Sequence, residues 1–264
     1  MDGKIEVQFN LRAGGRTIEA SARVPAGLTR LVNIVPVIHG ITSALAQAAQ
    51  ENVRDEGKAI SCRAGCGACC RQVVPVTEAE ARYLAALVES LPPDRKERVL
   101  DRFRAVIAGL EEAGLAERVR NIAQHPGQER ARISTDYFRL GLPCPFLEEE
   151  SCSIHRYRPT SCRAYLVTSP AENCRDPRPE TIDRVPLYGD PLRAFLGVLQ
   201  EVKDEQNQPH LALAFALEWA AANPGEEPRQ TGPELLGMFL SRLAGAGWHL
   251  PAPAGRDDGF SRRN

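Results

Sequence analysis

The stretch Cys62-Arg-Ala-Gly-Cys66-Gly-Ala-Cys69-Cys70 places four cysteines within nine residues. Four more cysteines form a second block and complete the eight of the chain: Cys144, Cys152, Cys162 and Cys174. Thiols clustered in this way bind a soft metal, hold an iron–sulfur cluster or form disulfides. The organisation of the fold depends on which of these three applies.

Composition favours free thiols over disulfides. With 43% hydrophobic and 25% charged residues among 264, the chain can bury a core of its own without covalent cross-links. Its first residues include acids and no apolar segment of signal-peptide length, and no run of about 18 apolar residues follows. We therefore expect a cytoplasmic protein without a membrane span, in a compartment where structural disulfides are rare.

Charge argues against several classes of partner. The formal net charge is −1, and no long block of like charges occurs, so neither nucleic acid nor an anionic membrane is expected as a partner. The sequence also lacks a phosphate-binding loop, a dinucleotide fingerprint and a single cysteine that stands out as a nucleophile. The partner that remains is an unknown protein or redox partner.

The N-terminal region, residues 1–56, is predicted to be a β-hairpin followed by a helix. Apolar and polar residues alternate over residues 4–24 on either side of a Gly-Gly turn, which is typical of a hairpin. From about residue 29 the apolar period becomes helical. Pro36 should start or kink this helix, and Gly57 lies near its end.

A helical insert is predicted between the two cysteine blocks. Thr77-Glu-Ala-Glu80 has the pattern of a capping box and should open a helix that a Pro-Pro pair ends. A second helix should begin at Asp94 and break at Gly114, because its apolar residues are three and four apart. A short helix should follow to about Ala123.

The second cysteine block lies in irregular sequence. Residues 141–180 contain six prolines and little periodicity, and a bound metal can order such a loop. We assign residues 57–180 as the metal-binding core, 181–252 as C-terminal helices and 253–264 as a flexible tail. The C-terminal helices are predicted at residues 191–204, 209–222 and 233–243. The fold class is mainly α, or α+β with a small N-terminal β-hairpin, as a helical single domain with an irregular Cys-rich metal-binding region.

The first block has the spacing of a chelating site. Cys66 and Cys69 are separated by two residues, as in many zinc and iron–sulfur sites. On a helix the four cysteines of this block would share one face, whereas Gly65 and Gly67 favour a turn that wraps a metal. The adjacent residues Cys69 and Cys70 need not bind the same ion.

Histidines offer less to a metal site than the cysteines do. His155 lies three residues beyond Cys152, which is chelating spacing, but we expect it to pack beside the ligands or to support them. His39 lies among apolar residues and is expected to be a hydrogen-bonded core histidine. The remaining histidines have no ligand context.

Motifs in the second block carry a resemblance to a known family. They read Cys144-Pro-Phe-Leu, Cys152-Ser-Ile-His155, Arg158-Pro159 and Cys162-Arg163. Together with the first block, they resemble the cysteine-cluster family sometimes called the YkgJ-like or CxxCxxCC domain. The resemblance spans residues 62–174 and implies a zinc- or iron-chelating domain, often described as an iron–sulfur protein, with Cys174 as the eighth cysteine. It implies no settled reaction.

All eight cysteines are candidate metal ligands. Eight thiolates suffice for two four-cysteine zinc sites, or for one four-cysteine cluster with spare thiols. Because spare thiols suit redox chemistry, we favour a 4Fe-4S iron–sulfur cluster, with zinc as the alternative. Nearby arginines offer N–H donors to sulfur, above all Arg158 and Arg163, which lie in the matched motifs. The others are Arg63, Arg71, Arg156 and Arg175.

Three functions remain open. The leading hypothesis is a cytosolic metal-binding protein with an iron–sulfur cluster and a redox or accessory role. The alternatives are a structural zinc-binding interaction module and a methylase-like enzyme, since flagellin lysine methylase is similar to this family in its cysteine block. The spacing Cys62-x3-Cys66-x2-Cys69 also occurs in radical S-adenosylmethionine enzymes, but the strand–helix alternation of their barrel is absent from this sequence. No catalytic residue is assigned.

Overall fold

The computed structural model describes residues 3–13, 15–175, 180–204, 210–225 and 229–244. The proposed tail at residues 253–264 lies outside these ranges. The helices are α1 Val35–Asp55, α2 Glu78–Glu89, α3 Pro93–Glu112, α4 Ala116–Arg120, α5 Gly127–Arg139, α6 Thr160–Ala164, α7 Pro191–Lys203, α8 Ala216–Ala222 and α9 Gly232–Ala244. The strands are β1 Lys4–Ala13, β2 Arg16–Pro25, β3 Leu28–Arg30, β4 Pro75–Val76, β5 Leu147–Glu148, β6 Ser151–Cys152, β7 Leu211–Ala212 and β8 Arg229–Thr231. The fold is mainly helical with a small N-terminal hairpin, as the sequence predicts.

The N-terminal hairpin forms in the register that its alternation predicts. Strands β1 and β2 are antiparallel, and Lys4 pairs with Pro25 at one end while Ala13 pairs with Arg16 at the other. The apolar face of β1 is buried from Phe9 onward, so the hairpin docks on helices rather than standing alone.

Helix α1 begins and ends where its sequence signals predict. A short 3-10 helix, Leu31–Ile34, leads into it, and Pro36 lies in its first turn, where a missing N–H costs nothing. Gly57 follows its end with a φ of 73°, which glycine adopts without a steric penalty. Ile38, Ile41 and Leu45 are buried along one face.

The main core joins the N-terminal hairpin to helices from the C-terminal part of the described residues. The hairpin, α1, α7 and α9 pack into one apolar cluster, whose largest fully buried side chains include Phe195 and Phe239. These two rings meet edge to face at a centroid distance of 6.4 Å. Short strands add further links, since β3 pairs with β8 and β4 pairs with β7.

The helical insert forms as predicted, with one addition. The capping box is complete: Thr77 Oγ1 accepts from the Glu80 N–H, and Glu80 accepts from the Thr77 N–H. Helix α3 runs from Pro93 and buries the expected residues three and four apart. The addition is helix α5, which the sequence pattern did not predict. It buries only Ile133 and Tyr137, so it shows too little apolar periodicity to be recognised.

The predicted helix at residues 209–222 is wrong in its first half. Within the described residues this segment begins with strand β7, continues as a 3-10 helix at Leu213–Phe215 and becomes α-helical only at Ala216. Leu211 and Ala212 instead pair with Val76 and Pro75, because the short strand β4 offers backbone partners. Helices α7 and α9 confirm the other two C-terminal predictions within one residue.

The segment Leu31–Asp55 is long and apolar enough to cross a membrane by length and composition alone. It is the one such segment among the described residues, although the sequence shows no uninterrupted apolar run of that length. Over half of its most apolar window is buried inside the fold. That burial is what a core helix shows.

Candidate metal centre

The first cysteine block folds as a series of turns. The N–H of Cys66 donates to the Arg63 carbonyl at 3.1 Å, and the N–H of Cys70 donates to the Gly67 carbonyl at 3.0 Å. Gly65 has a φ of 77°, a conformation that suits glycine and excludes a continuous helix. The turn favoured by the two glycines is therefore present, and the shared helical face is not.

At Gly67 this loop lies in close contact with the second block, because glycine has no side chain there. A Cβ at this position would lie 2.8 Å from Leu147 Cδ1 and 2.9 Å from the Glu150 carbonyl oxygen. The partner is the turn between β5 and β6, in which Glu149 and Glu150 both have positive φ. Arg71 joins the same contact, because its guanidinium donates to Glu150 Oε1 at 2.5 Å and to the Gly67 carbonyl.

A backbone hydrogen bond joins the two blocks. The N–H of Cys144 donates to the Cys70 carbonyl at 2.7 Å, so the chain returns to the first block across the whole helical insert. Strands β5 and β6 then pair Leu147 with Cys152. This hairpin brings Cys152 back beside Cys144, and both pack on the cluster that contains Phe146 and Ile154.

Both of these sulfurs accept a backbone N–H from the residue two positions later. The donor is Phe146 for Cys144 and Ile154 for Cys152. In each case the hydrogen bond lowers the pKa of the thiol, but burial raises it by more, so the net shift is upward. Backbone N–H groups directed at sulfur stabilise the charged thiolate. The hairpin thus presents two candidate ligands whose thiolate forms its own backbone stabilises.

Cys162 is held by helix α6. The N–H of Thr160 donates to Glu80 Oε1 at 2.7 Å, and His39 Nε2 donates to the same oxygen at 3.0 Å. Burial would raise the pKa of Glu80, but the hydrogen bond and charge of His39 and the N–H donors of Thr160 and Thr77 outweigh it and lower that pKa. His39 is therefore the satisfied core histidine that the sequence predicts, and Glu80 has a positioning role that its capping motif did not reveal.

Cys174 joins the first block. It is 4% exposed and packs with Ala68 and Val167, and Cys62 and Cys66 flank the same cluster. The N–H of Ser61 donates to the Val167 carbonyl at 3.0 Å, which fixes this pairing of segments. A backbone N–H of Val167 also bonds to the Cys62 sulfur.

The cysteines accordingly fall into two sets around Cys69. The Val167 set, named for the residue at its centre, is Cys62, Cys66 and Cys174. The Phe146 set contains Cys144 and Cys152, which pack beside Phe146. It also contains Cys162, because the adjacent Ser161 donates to the Pro75 carbonyl next to Val76 of the same cluster. Cys69 is a neighbour of both sets, since its charge raises the pKa of thiols in each.

Burial dominates the acidity of these thiols. It raises the pKa of Cys144 to about 12 and that of Cys174 to about 11, with neighbouring thiols adding to the effect. The pKa of Cys69 is also raised, first by a hydrogen bond with Cys70 and then by burial. These three thiols are therefore protonated at neutral pH when no metal is bound.

The arginines divide by what they contact. Arg163 donates to the backbone carbonyls of Arg158 and Arg156, at 2.8 and 2.5 Å, and to Ser43 Oγ, so its hydrogen bonds hold the loop. Its charge also lowers the pKa of Cys152. Arg158 differs, because its buried Nε has no hydrogen-bond partner among the described residues. Its charge lowers the pKa of Cys62, Cys69, Cys152 and Cys162 against the larger effects of burial. Of the two arginines favoured from sequence, Arg158 therefore acts on more of the thiols and keeps an N–H donor free of partners within the described part of the chain.

The donor chemistry suits a soft metal. All eight cysteines lie in the described residues, and all are free thiols. In that part of the chain no three histidine, cysteine or carboxylate side chains already surround one point at metal-binding spacing. His155 is largely exposed, and the partial burial of its ring, together with the charges of Arg158 and Arg163, lowers its pKa. The thiols are thus the candidate ligands, and binding of a metal would require them to approach one another further.

Comparison with known families agrees with the motifs. Residues 61–183, somewhat under half of the chain, match the model of the CxxCxxCC family, described as a "putative zinc- or iron-chelating domain". Neither a curated protein nor a solved structure matched the chain. The segment 61–183 is therefore similar to this cysteine-cluster family, and the match supports chelation of zinc or iron.

Proposed function

We propose that the domain at residues 61–183 holds an iron–sulfur cluster of the 4Fe-4S type and serves a redox or accessory role in the cytoplasm. The observation that carries the proposal is the hydrogen bond of 2.7 Å from the Cys144 N–H to the Cys70 carbonyl, which brings the thiols of the two blocks together. An iron–sulfur cluster of this type is held by four thiolates.

The surroundings of the thiols support a charged metal–thiolate group. A cluster with four thiolates carries net negative charge, and Arg158 offers an unpartnered buried N–H donor and a positive charge beside the sulfurs. Backbone N–H groups already point at Cys62, Cys144 and Cys152. When bound, an iron–sulfur cluster would supply one-electron transfer, and these donors would adjust its reduction potential.

Loading of the metal should be coupled to proton release. The thiols of Cys144 and Cys174 have raised pKa values, at about 12 and about 11, because burial disfavours the thiolate. A metal ion must therefore displace protons from the thiols that it binds. The affinity should rise as pH increases.

The test is reconstitution of the full chain with iron and sulfide without oxygen, followed by absorption spectroscopy and elemental analysis. We expect broad thiolate-to-iron absorption in the visible range, which disappears on oxidation and returns on reconstitution. A colourless protein that retains only zinc would refute the iron–sulfur proposal.

Zinc is the second candidate, because one observation favours it. The two sets of cysteines pack in separate apolar clusters, and two separate sets suit two four-cysteine zinc sites. In that case the domain would be a structural module whose helices bind a protein partner. Tightly held zinc, together with loss of order in residues 57–74 and 141–175 on chelation, would support this alternative.

A further inference from the structure

We infer that the domain contains two metal centres, one in the Val167 set and one in the Phe146 set, each completed by a thiolate of the adjacent pair Cys69 and Cys70. The inference rests on the proposed metal binding and goes beyond it, because it assigns the ligands and their division. It holds for iron as well as for zinc.

The first step is the separation of the sets by packing. Cys174 belongs to the cluster of Ala68 and Val167, and this cluster also receives Cys62 and Cys66. Cys144 and Cys152 pack against a different cluster, whose members include Phe146 and Ile154. Two apolar clusters therefore hold two groups of sulfurs.

The second step is the separation of the sets by backbone connections. Ser61 ties the first block to Val167 and Thr168, through its N–H at 3.0 Å and its hydroxyl at 3.1 Å. The Phe146 set is assembled by different bonds: the Leu147 N–H donates to the Cys144 carbonyl at 2.8 Å, and Ser153 donates to Phe146 at 2.8 Å. Each set thus has its own scaffold.

The third step concerns the number of ligands. Each set contains three cysteines, whereas both a structural zinc ion and a 4Fe-4S cluster take four thiolates. Cys69 and Cys70 are the remaining two cysteines, and the N–H of Cys144 holds the Cys70 carbonyl at 2.7 Å, so this pair lies where the two blocks join. One thiolate from the pair would complete each set.

The position of Cys162 agrees with this division. Ser161, the residue before it, donates through Oγ to the Pro75 carbonyl at 2.5 Å, and Val76 belongs to the same apolar cluster as Phe146. Cys162 is thereby tied to the Phe146 set.

The experiment counts metal ions in the wild-type full chain. Anaerobic titration with Co²⁺, whose tetrathiolate complexes are coloured, and elemental analysis after Zn²⁺ loading should both give two ions per chain. A single ion per chain in wild type overturns the inference and leaves metal binding intact. No bound ion at all also overturns the inference, whereas the iron–sulfur proposal fails only if reconstitution with iron and sulfide fails. This measurement needs no variant.

Paired substitutions then test the assignment. The double variant C66S/C174S should lose one of the two ions and keep the other, and C152S/C162S should do the same. The variant H155A is the matched control and should keep both, because His155 is assigned to neither set. Loss of both ions from each cysteine variant, with wild-type circular dichroism, would show one shared centre and overturn the division.

Discussion

Glu80 Oε1 accepts a hydrogen bond of 2.7 Å from the backbone N–H of Thr160, at the start of the helix that carries Cys162. Glu80 is fully buried and also bonds to His39 and to the Thr77 N–H. One carboxylate therefore joins α1, the start of α2 and α6. It positions a thiol 82 residues away in the sequence through backbone contacts alone.

Replacing Glu80 by alanine should destabilise the metal-free chain by about 3–5 kcal/mol, because removal of one partner leaves the other buried groups unpaired. Denaturant unfolding followed by circular dichroism measures this change. Glu89→Ala, at the exposed end of the same helix, is the control and should leave the midpoint almost unchanged. Equal midpoints for the two variants would contradict the positioning role.

The same residue should give the folded state a dependence on acid pH. The pKa of Glu80 is lowered in the folded protein, so its contribution is complete above the unfolded value of about 4.3 and is lost as pH falls through the folded value. Wild type should lose stability with decreasing pH over this window. Glu80→Gln should show a smaller slope there, and an unchanged slope would assign the effect to other carboxylates.

Gly67→Ala should weaken metal retention. The added methyl group would meet the Glu150 carbonyl oxygen at 2.9 Å, and a backbone atom cannot move aside as a flexible side chain can. The first cysteine loop would shift away from the β5–β6 turn. Competition with a chelator, measured as the half-time of metal release, should show at least a several-fold loss in this variant.

The control for that change is Gly40→Ala. A Cβ on Gly40 meets no atom within 4 Å, and alanine favours the helix that contains it. Its metal release should match that of wild type, and its thermal stability should be equal or slightly higher. Similar release from both variants would show that closure at Gly67 does not matter for the metal.

Arg158→Gln should shift the reduction potential of an iron–sulfur centre downward. Removing a positive charge beside the sulfurs disfavours the reduced state, which carries one more negative charge, by an amount on the order of tens of millivolts. Redox titration measures the shift, and Arg156→Gln is the control because Arg156 is exposed. No difference between the two variants would mean that Arg158 is too far from the metal to act on it.

Removing the metal should loosen the two cysteine blocks before the main core. The apolar cluster formed by the hairpin, α1, α7 and α9 contains no cysteine, so its stability does not depend directly on ligands. Hydrogen exchange should accelerate in residues 57–74 and 141–175 on chelation, while α7 and α9 stay protected. Acceleration throughout the chain would instead indicate that the metal holds the whole fold.

Local signals in the sequence predicted the elements that depend on neighbours in the chain. The hairpin, the Pro36 start of α1 and the capping box at Thr77 each involve residues a few positions apart, and all three are confirmed. Helix α5 was not predicted from the sequence, because its two buried apolar residues, Ile133 and Tyr137, are too few to show a helical period. Residues 211–212 became a strand because their partner is Pro75-Val76, far away in sequence.

The candidate site was predictable in its chemistry and not in its arrangement. Cysteine spacing and motif order indicated chelation, which the family match supports. The division into two sets depends on contacts such as Ser61 with Val167, which join distant segments. The different roles of Arg158 and Arg163 likewise follow from carbonyls that only the folded loop presents.

The hydrogen bond between the Cys144 N–H and the Cys70 carbonyl also sets an order of events during synthesis. About 74 residues separate these cysteines, so at roughly 5–20 residues per second the first block leaves the ribosome about 4–15 s before the second begins to emerge. During that interval four thiols are exposed without their partners. Iron or zinc delivered during this interval would meet an incomplete set of ligands. Correct loading of a newly made chain therefore requires that the metal bind only after Cys174 has emerged.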